Sequence, residues 1–413
     1  MIEASLSASP ATGTGRDETA PPPVSRWTDA LRRLLRDAAP ALLGYAAVRA
    51  LGLLMAVWYG SGQDQQTSAL VRLGTFWDAG WYVRIVQTGY SVGDGYIGMH
   101  GIPYSPRAFF PLYPTLADLL RLVLPVSPGT ALVLVSSASG LAAAWGIYAV
   151  GRFCHGRRAG VIAAVLWGAL PLAVLENAAY SEALFTALSA WTLYAVLTRR
   201  WIAAGLLCVA AGLSRPSAMA LTAAVGLAAL VELVRCFRDG RPDWGPPLVA
   251  GLLAPLGWAG YMLWTGWTLG SWSGYFHIQQ AWGTTFDGGV ATFHWFDHLL
   301  FSPQSATGIP LSDTVMALTL VGYLVLFALS AVNRQPLPLL VFSLALLVID
   351  LGNASIAPPF ARFLLPAFPL LLPLAASLGR LRSRGSLAVV LGSAAVLSGL
   401  YGTFILFLAG APG

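Results

Sequence analysis

Long apolar runs, separated by short connections that carry arginine, recur along most of the 413-residue sequence. An α-helix needs a run of about 20 apolar residues to cross the hydrocarbon core of a bilayer. The mean hydropathy of +0.67 and a charged fraction of only 10% agree with repeated crossing. The sequence therefore predicts an all-α integral membrane protein, a polytopic bundle of transmembrane helices.

The arginines predict how this bundle is oriented. The chain has no lysine, and four arginines stand between residues 26 and 36, directly before the first span. Because basic residues flank spans mainly on the cytoplasmic side, we expect the amino terminus there. Residues 1–25 are rich in small residues and proline, which predicts a disordered cytoplasmic tail. Residues 26–413 are expected to form a single transmembrane domain.

The segment Phe109–Val126 decides the topology. It is apolar, but it carries Asp118, Arg121 and three prolines, which suit a lipid-facing helix poorly. If it stays outside as a re-entrant or interfacial element, sixteen arginines face the cytoplasm and six face outward, whereas a crossing would move twelve of the sixteen outward. We therefore expect eleven spans and an outer carboxyl terminus. The expected spans are about 40–59, 129–151, 159–175, 180–197, 201–214, 216–234, 246–269, 312–332, 336–351, 361–379 and 386–409.

The segment Arg72–Tyr90 directly follows the first span and is rich in aromatic residues. Trp77, Trp81 and Tyr82 favour the headgroup level of a membrane, so this segment is expected to lie along the surface with Asp78 at the boundary between lipid and water. A carboxylate at that boundary can serve a lipid-borne and a water-borne substrate together. The alternative is that Asp78 only caps or solvates an interfacial helix. Interfacial or re-entrant structure is expected over residues 71–126, and a long outer loop over 270–311.

Other polar residues collect at the expected outer ends of the spans, and Arg49 within the first span should face protein or a wet cavity. Charges at this depth are costly unless they are paired or used, so the cluster indicates a cavity that opens outward. Its members are Asp94, His100 and Arg107 in the first loop, then Glu176, Asn177, Tyr180, Ser181, Glu182, Ser214, Arg215, Asp350, Asn353 and Arg362, with His277, Gln279, Gln280 and Trp282 in the outer loop.

Several chemistries have no support in the sequence. It contains no P-loop, no dinucleotide fingerprint, no HExxH and no GxSxG, and its three cysteines lack metal-ligand spacing. No basic cluster is interleaved with exposed aromatics as nucleic-acid binding would require. Without a nucleotide site, a transferase on the outer face would use a lipid-linked donor.

Five short motifs follow one another between about residues 70 and 370. They are Trp77-Asp78 with Gly89-Tyr90, Phe110-Pro111-Leu112-Tyr113-Pro114, Tyr180-Ser181-Glu182-Ala183-Leu184-Phe185, Arg215-Pro216 and Arg362-Phe363-Leu364-Leu365-Pro366. As an ordered set they resemble PIG-V-type mannosyltransferases, which belong to the GT-C class of polyprenyl-phosphate-sugar-dependent glycosyltransferases. The resemblance implies α-mannosyl transfer from polyprenyl phosphate mannose, on the non-cytoplasmic face, by a multi-span fold with interfacial helices after the first span. A lysine-free composition rich in alanine, glycine and arginine indicates a bacterial plasma membrane.

The resemblance also implies residue roles. Asp78 matches the carboxylate of the first outer loop and is the expected general base of a single inverting displacement. Arg362 and Arg215 are expected to bind the leaving phosphate, since a guanidinium matches phosphate geometry. Their alternatives are an interfacial anchor for Arg362 and a helix-end residue for Arg215. Glu182 is the second catalytic candidate, and could bind an acceptor hydroxyl, hold a divalent ion, orient Asp78 or simply complement a helix dipole.

Further substrate contacts are expected from His277, Gln279, Trp77, Tyr113 and Tyr180. The two candidate carboxylates are a plausible site for Mg²⁺ or Mn²⁺, but no set of metal ligands is assigned. The acceptor stays open between a cell-envelope glycolipid, a polysaccharide and a secreted protein. Two rival functions also remain, namely a lipid or solute transporter or flippase, and a protein O-mannosyltransferase.

Overall fold

The computed structural model describes residues 23–62, 68–91, 95–301, 310–354 and 360–408. Residues 1–22, most of the predicted tail, and residues 302–309 of the predicted outer loop lie outside this part. The first helix begins at Pro23, before the predicted end of the tail. The helices are α1 (Pro23–Gly62), α2 (Ala69–Thr75), α3 (Asp78–Thr88), α4 (Leu112–Arg121), α5 (Pro128–His155), α6 (Arg157–Gly168), α7 (Glu182–Leu197), α8 (Trp201–Gly212), α9 (Ala218–Arg238), α10 (Gly245–Leu253), α11 (Leu256–Thr268), α12 (Gly274–Gln279), α13 (Val290–Phe301), α14 (Leu311–Val332), α15 (Leu337–Gly352), α16 (Phe360–Phe363), α17 (Leu372–Gly379) and α18 (Arg384–Phe407).

The predicted class, an all-α polytopic membrane protein, is confirmed. Within the described chain, six helical stretches are long and apolar enough to cross a membrane by length and composition. They are Arg32–Gly62, Pro128–His155, Ala218–Arg238, Gly245–Thr268, Leu311–Val332 and Arg384–Phe407. Four shorter apolar stretches accompany them, at Glu182–Leu197, Trp201–Gly212, Leu337–Gly352 and Phe368–Gly379.

Three of the predicted spans are interrupted. In the expected span 159–175 the α-helix ends at Gly168, and a separate 3₁₀ turn follows at Ala173–Asn177. The expected span 361–379 is divided into α16, a 3₁₀ turn at Phe368–Leu371 and α17. Prolines at 366, 369 and 373 explain the breaks, because proline lacks the backbone donor and clashes with the preceding turn. The expected span 246–269 divides at Pro255 into α10 and α11 for the same reason. These breaks correct the prediction of continuous helices.

Helix α5 lies at the centre of the bundle and packs against α1, α4, α6 and α7. Small residues on its surface allow this. A Cβ added to Gly151 would lie 2.8 Å from the Cα of Gly160 on α6. Glycine, alanine and serine at such contacts let helices approach closely where lipid supplies no hydrophobic drive for helix association. The tightly packed core formed in this way is the support for the shorter helices of the first loop.

The first loop carries α2, α3 and α4, which pack on one another and on α5. Helix α4 has 10 residues and is therefore about 15 Å long, half of the roughly 30 Å of a hydrocarbon core. Its length agrees with the prediction that Phe109–Val126 does not cross the membrane.

Elsewhere, strands β1 (Thr285–Phe286) and β2 (Asn353–Ala354) form an antiparallel pair that ties the 270–311 loop to the end of α15.

Candidate active site

Two carboxylates and two arginines from four separate parts of the chain meet in one cluster. Arg362 donates through Nη2 to Asp78 and through Nε to Oε1 of Glu182, at 2.6 Å. Nη1 of Arg215 lies 2.6 Å from the same Glu182 oxygen. Glu182 therefore bridges both guanidinium groups, and Asp78 binds one of them. We call these four residues the charged cluster.

The charged cluster is mostly buried, and Asp78 is its most exposed member. The side chain of Glu182 is 1% exposed and those of Arg215 and Arg362 are 10% and 11% exposed, whereas that of Asp78 is 25% exposed. Two negative and two positive formal charges balance, as buried charges require. A ligand from solvent or membrane would therefore reach the cluster at Asp78.

A strained turn places Asp78. Trp77, the residue before it, has a φ of 54°, which is unusual for a residue with a side chain and costs on the order of 1–3 kcal/mol. This turn starts α3 with Asp78 in its first position, where a carboxylate complements the helix dipole. The backbone N–H of Asp78 also donates to the hydroxyl of Tyr180, at 3.4 Å. Strain of this kind is tolerated where the surrounding structure fixes the backbone. Here the strained turn at Trp77 fixes the position of Asp78, the candidate base.

Ser181 and Tyr82 add hydroxyl groups beside Glu182. The Tyr82 hydroxyl donates to Oγ of Ser181 at 2.8 Å, and Nη1 of Arg215 lies 3.4 Å from the same oxygen. Ser181 makes no side-chain capping bond to α7. Burial raises the pKa of the Tyr82 phenol, which keeps the hydroxyl protonated and able to donate.

Aromatic rings hold the two guanidinium groups from the side. The guanidinium carbon of Arg362 lies 4.5 Å from the ring centroid of Tyr180, and both arginines lie 5.4 Å from that of Phe363. Cation–π contacts of this length restrict where a guanidinium can lie. No catalytic or substrate-binding role was predicted for Phe363, Tyr82 or Ser181. Their signal was position, since each lies beside or within a turn of a chosen residue.

Three of the other predicted contacts are close to the charged cluster. Tyr180 contacts both Asp78 and Arg362, and Trp77 precedes Asp78 directly. Tyr113 is fully buried, its ring lies 4.8 Å from that of Tyr82, and its hydroxyl donates to the carbonyl of Leu132 at 2.8 Å. Tyr113 thus packs against Tyr82 in the protein core and does not line the exposed side of the cluster at Asp78.

The structure does not bring His277 and Gln279 into contact with the cluster. The amide of Gln279 donates to the carbonyl of Ala108 at 3.2 Å and to the hydroxyl of Tyr275 at 2.7 Å, which ties α12 to the first loop. His277 is exposed on the same helix, and in the described part of the chain its side chain makes no hydrogen bond or ion pair.

The charged cluster fits a metal ion poorly. No group of three or more His, Cys, Asp or Glu side chains that could hold one occurs among the described residues. Asp78 and Glu182 are both bound by arginine, whereas Mg²⁺ and Mn²⁺ take about six oxygen ligands. No step proposed below uses a metal.

The helical membrane bundle with short helices in its first loop is a GT-C-type fold. ArnT from Cupriavidus metallidurans, crystallised with undecaprenyl phosphate, shares it at a TM-score of 0.52 and 14% sequence identity, over 84% of this chain and 62% of ArnT. The oligosaccharyltransferase of Archaeoglobus fulgidus matches at a TM-score of 0.48 and 14% identity, over 89% of this chain and 56% of that one. At such identities the likeness shows the fold alone. No family model and no curated protein matches the sequence.

Proposed function

We propose that this protein is a glycosyltransferase that moves a sugar from a polyprenyl phosphate carrier to an acceptor hydroxyl. The observation that carries the proposal is the charged cluster, in which a partly exposed carboxylate, Asp78, binds the buried Arg362, and Glu182 joins that arginine to the buried Arg215. A transferase of this kind needs one base for the acceptor and cationic donors for the leaving phosphate. The cluster offers both in one place.

Arg215 and Arg362 are the proposed phosphate ligands. Each guanidinium has five N–H donors, more than the contacts described above use, and its planar fork matches phosphate oxygens. Glu182 is then a positioning residue, because its buried Oε1 accepts from both arginines and fixes their separation. The undecaprenyl phosphate bound to ArnT, which shares the fold, supports a lipid phosphate as the ligand.

Asp78 is the proposed general base. It takes the proton of the acceptor hydroxyl while that oxygen attacks C1 of the sugar, and the C1–O bond to phosphate breaks with its electrons leaving on the phosphate. One displacement inverts the anomeric centre. Arg362 is bound to Asp78 in this structure, and a donor phosphate would compete for that arginine. Donor binding therefore frees the base, so that the acceptor is activated only when a sugar is in place.

The resemblance of the motifs to PIG-V-type enzymes supports mannose as the sugar. The arginine distribution supports a plasma-membrane enzyme with a cytoplasmic amino terminus and an extracytoplasmic site. A cell-envelope glycolipid, a polysaccharide and a protein hydroxyl remain candidate acceptors. No observation specifically favours the transporter alternative.

The test uses the full chain in liposomes with polyprenyl phosphate carrying labelled mannose or labelled glucose, and a membrane fraction as the acceptor source. We expect release of polyprenyl phosphate and a labelled product with mannose. Asp78→Asn should fold and bind donor but lose turnover by about 100-fold or more. Full turnover in that variant would remove Asp78 as the base. Movement of donor across the bilayer without any product would favour a transporter, and label on protein would identify an O-mannosyltransferase.

A further inference from the structure

A second buried ion pair, between Arg49 and Glu176, is separate from the charged cluster. Nε of Arg49, on α1, lies 3.8 Å from Oε2 of Glu176, and the two side chains are 8% and 0% exposed. The hydroxyl of Tyr45 donates to the same glutamate oxygen at 2.9 Å. The mechanism proposed above uses neither charge.

This pair ties three parts of the bundle together. Nε of Arg49 also lies 3.4 Å from Oδ1 of Asn177, and its Nη1 donates at 3.0 Å to the carbonyl of Gly168 at the end of α6. In return, the Asn177 amide donates to the Arg49 carbonyl at 3.3 Å. Helix α1 and the end of α6 therefore hold the short helix Ala173–Asn177.

The same short helix leads directly to the active site. Glu182 begins α7 six residues after Glu176. Between them, the Ser136 hydroxyl of α5 lies 3.1 Å from the Glu176 carbonyl and 3.3 Å from that of Tyr180. The Ala179 N–H donates to the carbonyl of Leu73 at 2.8 Å. The segment 176–182 is thus anchored by one ion pair at its start and by the arginines of the cluster at its end.

Stability alone does not account for the pair. In the described part of the chain, Nη2 of Arg49 and Oε1 of Glu176 are buried without a hydrogen-bond partner. A buried pair that leaves polar atoms unsatisfied is often less stable than apolar residues of similar volume would be. A requirement for a fixed geometry nearby would explain why these polar side chains are kept there.

We propose that Arg49 and Glu176 form a positioning pair that fixes the segment 176–182, so that Tyr180 and Glu182 hold the two phosphate-binding arginines in place. This inference rests on the proposed function. Substrate does not contact the pair, which acts through the backbone of the segment. A displacement of about 1 Å in such a segment can lower turnover by about 100-fold.

The test compares two buried carboxylates. Glu176→Gln weakens the positioning pair, and Glu232→Gln is the matched control, because Glu232 on α9 is 5% exposed, accepts from Arg199 and Arg241 at 2.8 and 2.6 Å, and has no contact with the charged cluster. We expect Glu176→Gln to lower kcat with polyprenyl phosphate mannose by about 10- to 100-fold. The control should keep kcat within about twofold at a similar loss of Tm. Equal kcat losses at equal Tm losses would overturn the inference.

Two further variants separate geometry from stability. Tyr45→Phe removes one hydrogen bond without touching a charge, and should lower kcat several-fold. The double variant Arg49→Met/Glu176→Gln removes both charges, so it should regain Tm lost in Arg49→Met, where the glutamate is left unpaired. Its kcat should stay low because the segment is still not held. Recovery of kcat together with Tm would contradict a positioning role.

Hydrogen exchange gives a readout that does not depend on activity. The backbone amides of residues 178–182 should exchange faster in Glu176→Gln than in wild type, and be unchanged in Glu232→Gln. If Asp78→Asn loses turnover while Glu176→Gln keeps it, the positioning inference is wrong and the proposed function stands. If wild type transfers no sugar from any polyprenyl phosphate donor, the proposed function is wrong, and unchanged exchange at 178–182 would then refute the anchoring as well.

Discussion

Glu182 and Glu232 are two buried carboxylates that each bind several arginines, and they differ in how much water those arginines see. Both accept charged hydrogen bonds of 2.6–2.8 Å. Around Glu182 the arginine side chains are 10% and 11% exposed. Around Glu232 they are 33–57% exposed. The same kind of ion pair is thus buried around Glu182 and hydrated around Glu232.

The exposure of the arginines decides what each set of ion pairs can do. Arginines that remain hydrated lose little free energy when a partner leaves. The ion pairs around Glu232 therefore serve to connect the ends of α7 and α9. Buried arginines depend on their carboxylates and on the rings of Tyr180 and Phe363, so their geometry is fixed before a ligand arrives. An anion that displaces Asp78 from Arg362 meets two guanidinium groups that are already in place.

Removal of one arginine from each cluster should give the largest difference. Arg362→Ala removes a hydrogen-bond partner from both Asp78 and Glu182. Sugar transfer should fall by about 100-fold or more. The free energy of unfolding should fall by about 3–5 kcal/mol. Arg241→Ala should leave transfer intact and destabilise the protein much less than Arg362→Ala does, because Arg199 and Arg235 still face Glu232. Donor kinetics and denaturant unfolding measure both effects.

Arg362→Lys separates the loss of a phosphate contact from a loss of folding. It keeps the positive charge but loses the fork, so Tm should stay close to wild type while the KM for donor rises. An Arg362→Lys variant with an unchanged KM for donor would argue against a phosphate contact at this residue.

Neutralising the bridging carboxylates should give a smaller difference. Glu182→Gln weakens the charge-assisted bonds to both arginines, each of about 1.5–3 kcal/mol, and should lower kcat/KM for donor by about 10- to 100-fold. Glu232→Gln should stay within about twofold. If both variants lost donor affinity equally, the contrast in burial would have no functional meaning.

Much of the fold follows from the sequence because apolar runs of helix length leave few alternatives in a membrane. The motifs also named Asp78, Glu182, Arg215 and Arg362, and the structure brings these four side chains together. The expected span 361–379 was wrong in detail, since its apolar composition outweighed the three prolines that divide it. A hydropathy argument averages over such breaks.

The pairing within the site could not be predicted. Arg362 reaches Asp78 across 284 positions of sequence and Glu182 across 180, and no local pattern encodes which arginine meets which carboxylate. Arg49 was expected to face protein or a wet cavity, and the structure shows the partner, Glu176, on a segment that the sequence placed at the outer end of a different span. Long-range partners depend on how the helices pack.

The smallest expected effect concerns the ring of Phe363. It lies 5.4 Å from both buried arginines, and each cation–π contact contributes about 0.5–1 kcal/mol, so Phe363→Leu should weaken donor binding by about 2- to 10-fold. Phe363→Tyr keeps the ring face and should bind donor as wild type does. Phe237→Leu, at an exposed ring on α9, is the control and should have no effect. Donor binding that is insensitive to Phe363→Leu would mean that Glu182 alone fixes the arginines, and the two clusters would then differ only in their access to water.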